Sequence, residues 1–62
     1  MPAKGNEIFV EFIMQGAVVK VTAIESKTGT EVSIVGPANA SRTALQEAAV
    51  RKLQYVLNKK TA

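Results

Sequence analysis

Five glutamates, Glu7, Glu11, Glu25, Glu31 and Glu47, are the only side-chain carboxylates in a chain that contains no His, Cys or Asp. General acid and base work near neutral pH usually falls to His or to a carboxylate whose pKa is raised by its surroundings. These five are scattered along the chain rather than paired. No Ser-His or Cys-His nucleophile can form without those residues, and a Ser-Lys or Thr-Lys device would rest on Lys with no paired acid. The usual zinc ligands and disulfides are excluded on the same ground. The inventory predicts a protein that is not an enzyme and that takes no cofactor and no metal.

The short motifs support the same expectation. Lys27-Thr28-Gly29 spells a triplet found in penicillin-binding proteins and class A β-lactamases, but the Ser-x-x-Lys motif that supplies their nucleophile is missing, so the triplet reads as a turn. Gly5, Gly16, Gly29 and Gly36 stand too far apart to cradle a phosphate in one glycine-rich loop. Asn39-Ala40-Ser41 has glycosylation spacing and reads as the approach to a helix. Charge is the other signal. Residues 41–62 carry Arg42, Arg51, Lys52, Lys59 and Lys60 against Glu47, a balance of +4, while residues 1–40 carry three Lys against four Glu, a balance of −1. A solvated helix face accounts for such a run; the alternative is nucleic-acid binding, of RNA above all, through phosphate contacts by these five cations.

The elements that would position these side chains follow from periodicity. Residues 1–6 mix Pro2, Lys4, Gly5 and Asn6 with no pattern and read as a flexible lead. Residues 7–15 alternate, with Ile8, Val10, Phe12 and Met14 on one face, as a half-buried strand does. Gln15-Gly16 then serves as a two-residue primed turn, which predicts a second strand over 17–25 with Met14 facing Ala17, Phe12 facing Val19 and Val10 facing Val21. Ser26-Lys27-Thr28-Gly29 suits a type I turn closed by a left-handed glycine. A third strand over 30–35 pairs Val32 with Ala23 and Ile34 with Val21, and Gly36-Pro37 ends it. A helix over about 42–58 follows, capped by Ser41 or by Thr43 with Gln46 three residues on, and Glu47 falls near its first turn. Leu45, Ala49, Leu53, Val56 and Leu57 make its apolar stripe. The expected architecture is one α+β domain spanning 1–62: a three-stranded antiparallel sheet in order 1-2-3 with one C-terminal helix packed on one face.

One helix covers one side of a sheet, so the other side of a lone monomer should be polar. Phe9, Ile13, Val18, Ile24 and Val35 all fall on that outer side, with Glu11 expected opposite Lys20. Outer-face Val and Ile also follow from strand propensity. The sharper reading is a contact surface. A chain of 62 residues buries only about 60% of its unfolded surface, and its core rarely supplies more than about 3 to 5 kcal/mol without a staple or an oligomer. Edge pairing by the first or third strand is a second route to a dimer. No apolar run exceeds four residues and the start of the chain lacks the stretch of a signal peptide, so the expected setting is cytoplasmic, away from membranes. The expected function is therefore a protein-interaction module that self-associates, most simply as a homodimer, or binds a partner protein.

Two resemblances bear on these readings. Three strands followed by a helix, with Gly36-Pro37-Ala38-Asn39-Ala40-Ser41-Arg42-Thr43 leading into Ala48-Ala49, is similar to the C-terminal part of double-stranded-RNA-binding domains. That family contacts phosphates through a Ser-Lys-Lys at the helix start; Ser41 and Arg42 match it and Thr43 departs. The family's first helix is missing and the Gln15-Gly16 turn replaces its longer loop, so two of its three RNA contact regions would be absent. Plant AP2-type domains read DNA with an Arg-rich and aromatic sheet face, whereas the outer face here has one Lys and three Glu. The whole chain, especially Glu7 to Gly36 with Val32-Ser33-Ile34-Val35-Gly36-Pro37 and Arg51-Lys52-Leu53-Gln54-Tyr55-Val56-Leu57, also resembles a family of short bacterial proteins of unassigned function. That resemblance implies a small domain and no activity.

Overall fold

The computed structural model describes residues 7–61, with side chains through Lys59. The expected lead at 1–6 lies outside the described residues. Three strands, β1 (Ile8–Gln15), β2 (Val18–Glu25) and β3 (Glu31–Pro37), form one antiparallel sheet in the order β1-β2-β3, and a single helix α1 (Arg42–Thr61) follows. This is the expected α+β architecture.

Val19, Val21 and Ala23 of β2 and Ala49 and Leu53 of α1 are the buried core, with Ile8, Val10, Phe12, Val32, Ile34, Leu45 and Leu57 packed around them half-buried. The strand residues alternate by two and the helix residues recur by four, so each element sets one apolar face against the other. Burying a side chain such as Leu53 contributes about 1.5 to 3 kcal/mol. Gly36 lets the layers approach: a Cβ there would lie 2.6 Å from Leu45 Cδ2.

The first hairpin corrects the expected register. Gln15 pairs with Val18, Met14 with Val19, Phe12 with Val21 and Val10 with Ala23, a displacement of two residues. The turn residues are Gly16 and Ala17, not Gln15 and Gly16. Gly16 has φ 66° and no other residue than Gly29 is at positive φ among those described, the pattern of a type II′ turn, which wants Gly at its first central position. A turn with Gly16 second would be type I′ and force Gln15 to positive φ as well. A displacement of two preserves the faces, which is why the core was anticipated although the partners were not. Ala17, expected in the core row, is an exposed turn residue.

The second loop closes as expected, with Gly29 at φ 74° and its N–H donating to the Glu25 carbonyl at 2.9 Å. The register of β3 is also as expected, with Val21 opposite Ile34 and Ala23 opposite Val32. The strand does not stop at Val35, however. Gly36 and Pro37 pair with Val19 and Val18. Proline is tolerated because β3 is an edge strand.

Ser41 is the helix cap: its Oγ accepts from the Ala44 N–H at 3.2 Å, as an N-cap serine does. Glu47 accordingly lies beyond the first turn, which has no acidic residue. The helix runs to Thr61, past its expected end near 58. It lies mainly over β2 and β3 and touches β1 least. Met14, expected in the core row, is therefore 58% exposed at the uncovered end of β1.

Candidate interaction surface

The corrected register rearranges the outer sheet face into four rows. Gln15, Val18 and Pro37 form the first, Ile13, Lys20 and Val35 the second, Glu11, Thr22 and Ser33 the third, and Phe9, Ile24 and Glu31 the fourth. Glu11 thus faces Thr22 and not Lys20. Phe9, Ile13, Val18, Ile24 and Val35 share the face, but the polar third row divides them. Phe9 and Ile24 lie on one side of it and Ile13, Val18 and Val35 on the other. The divide is well built: Thr22 is only 7% exposed and its Oγ1 lies 2.9 Å from Ser33 Oγ.

The exposed large hydrophobes of the sheet are Phe9, Ile13 and Met14 on β1, Val18 on β2 and Val35, 63% exposed, on β3. Phe9 is 57% exposed, and Ile13 and Met14 are also exposed, on opposite faces of the same strand. Sequence reading missed Met14 and the exposed Tyr55 of α1. The position of Met14 relative to the helix end is a tertiary fact with no local signal.

The two edges of the sheet differ in kind. In an antiparallel pair, residues that exchange both hydrogen bonds alternate with residues that exchange none. The Ser26 N–H donates to the Glu7 carbonyl at 3.0 Å, so Phe9, Glu11, Ile13 and Gln15 direct their backbone polar groups to β2. Ile8, Val10, Phe12 and Met14 direct theirs to the open edge. On β3, the Glu25 N–H donates to the Thr30 carbonyl at 2.8 Å and the Ala38 N–H to the Ala17 carbonyl at 2.9 Å, so Glu31, Ser33, Val35 and Pro37 face outward. That edge is protected. Pro37 has no N–H to offer, and Lys52 Nζ donates to the Ser33 carbonyl at 3.0 Å, a pairing of positive side chain and edge that discourages strand addition. Strand order together with the hairpin-closing pair would have disclosed this asymmetry from the sequence, had the turn been placed correctly.

The four cations whose side chains are described meet different neighbours. Arg42, matched above to a phosphate-contacting triplet, has its guanidinium carbon 4.6 Å from the Phe12 ring centroid, and Lys59 Nζ is 5.7 Å from that of Tyr55. Lys52 is turned to the β3 edge. Arg51 lines a shallow open hollow on the helix with Gln46, Glu47, Val50 and Gln54. The Lys60 side chain lies outside the described residues.

Glu25, on the helix side of the sheet, is 7% exposed. Its carboxylate accepts from the Thr28 hydroxyl at 2.7 Å, the Thr28 N–H at 2.9 Å and the Lys27 N–H at 3.1 Å. The Thr28 hydroxyl first, then the two amides and the Lys27 charge, hold its pKa below the ordinary carboxylate value against the opposing effect of burial. This carboxylate organises a loop. Among the described residues no group of three or more His, Cys, Asp or Glu is placed to hold a metal, and no helix is long and apolar enough to cross a membrane.

No curated protein and no solved structure matches the chain. A family model does: that of the domain of unknown function DUF6898, over residues 5–60.

Proposed function

The chain belongs to the DUF6898 family, and from that premise we propose that it is a non-enzymatic, cytoplasmic protein-interaction module that self-associates through the uncovered side of its sheet. The observation that carries the reading is the set of exposed apolar side chains on the side of the sheet away from the helix, Phe9, Ile13, Val18 and Val35, with Met14 also exposed on the helix side of β1. Burial of such side chains on association contributes roughly 25 cal/mol per Å² of apolar surface, and a small core stands to gain most from it. Val18, Ile24 and Val35 extend the surface across the sheet.

Phe9→Glu and Ile13→Lys place charge on exposed positions and leave the core intact. Both should lower the weight-average mass seen by sedimentation at a given concentration while preserving the far-ultraviolet circular dichroism of the parent. An associating parent whose mass neither variant changes would sink the assignment of these residues.

A further inference from the structure

We propose that two copies of the chain pair edge to edge, β1 against β1 in antiparallel orientation about a twofold axis, fusing their sheets into one of six strands. This rests on the self-association reading above. Three observations converge on the β1 edge and on a second copy as its occupant. The edge is open along the backbone groups of Ile8, Val10, Phe12 and Met14, whereas the β3 edge is blocked at two points, by Pro37 and by the Lys52 bond to the Ser33 carbonyl. An edge meeting its own copy needs no other open strand, because a twofold axis makes an antiparallel strand complementary to itself. The helix also lies mainly over β2 and β3 and touches β1 least, so a second β1 can be added beside the first with its own helix displaced to the far side.

The side chains fit this arrangement. A register centred on Phe12 sets Val10 opposite Met14 of the second copy, Glu11 opposite its Ile13 and Phe9 opposite its Gln15. Ile8, Val10, Phe12 and Met14 from each copy then floor a trough between the two helices, and on the outer side Phe9 and Ile13 of each copy lie over Gln15 and Glu11 of the other. Centring on Glu11 would bring two carboxylates face to face, which destabilises a strand pair. Centring on Val10 would carry Met14 beyond the start of the opposite strand.

The test is amide hydrogen exchange of the full chain at low and high protein concentration, with two backbone variants. In the monomer, the amides of Phe9, Glu11, Ile13 and Gln15 are held by β2 while those of Val10, Phe12 and Met14 exchange freely. On raising the concentration these three should slow by about tenfold or more, and the β3-edge amides of Ser33 and Val35 should not change. Val10→Pro deletes an outward N–H that makes no bond within the sheet, and a synthetic chain N-methylated at Val10 does the same with the side chain retained. Each should stay monomeric where the parent pairs; the methylated chain and the exchange pattern decide the matter even if the proline variant unfolds. If the parent associates but Val10, Phe12 and Met14 exchange at their dilute rates and the methylated chain associates equally, edge pairing is wrong and association by the outer face stands. A parent that remains a monomer at every concentration overturns both.

Discussion

Glu25 shows how a single side chain can set a loop without any part in a site. Its carboxylate bridges the Thr28 hydroxyl and the amides of Lys27 and Thr28, and Thr30 Oγ1 lies 2.6 Å from the same Thr28 hydroxyl. The folded pKa is lowered, so the unfolded chain binds the proton more readily than the folded one. The stability this contributes is fully present above the ordinary carboxylate value and is lost as pH falls through the lowered one. Thermal unfolding followed from neutral to acidic pH should show a decline in Tm across that window. Glu25→Gln should lower Tm at neutral pH and flatten the decline, since a neutral amide retains one acceptor oxygen and cannot satisfy both amides and the hydroxyl. A parent and variant with parallel pH profiles would contradict this role. The glycine that closes the loop was legible, because only Gly takes positive φ without cost. The role of Glu25 was not, because it depends on the side-chain geometry of three residues brought together by that turn.

At the scale of elements, the alternation of Ile8, Val10, Phe12 and Met14 and the recurrence of Leu45, Ala49, Leu53 and Leu57 were enough to assign strands, helix and core faces. Periodicity determines which face is apolar; it does not determine which residue stands opposite which. That depended on the turn, where Gly16 occupies the first central position. Nothing lies within 4 Å of a Cβ placed on Gly16, so Gly16→Ala would meet no clash and its cost is conformational alone, about 1 to 3 kcal/mol for an L residue held in a positive-φ conformation that favours glycine. Urea unfolding should register that loss with an unchanged m-value, and a neutral substitution would contradict the turn assignment. Pro37 taught the converse lesson. Proline is expected to end β3, yet it stands in the strand because its missing N–H falls on the outward side of an edge. The same alternation that makes Pro37 harmless leaves the outward groups of β1 open, and this one rule accounts for both edges.

For the whole molecule, the asymmetric seat of the helix matters most. Because α1 lies mainly over β2 and β3, the two edges of the sheet differ, and three of the exposed hydrophobes, Phe9, Ile13 and Met14, stand on the less covered strand. Helix placement is a tertiary choice that no local pattern announces, so the five outer-face residues were found from the sequence while the exposure of Met14 was not, and which of the two edges is the more open depended on the turn. The basic residues cluster in the chain, and those described each meet a separate neighbour, with Arg42 over Phe12, Lys52 at the β3 edge and Lys59 over Tyr55. The most direct measurement is the solution mass by light scattering across a concentration series. The account predicts a rise from one chain mass toward twice that value as concentration increases; a mass that stays at 6.6 kDa throughout would contradict it.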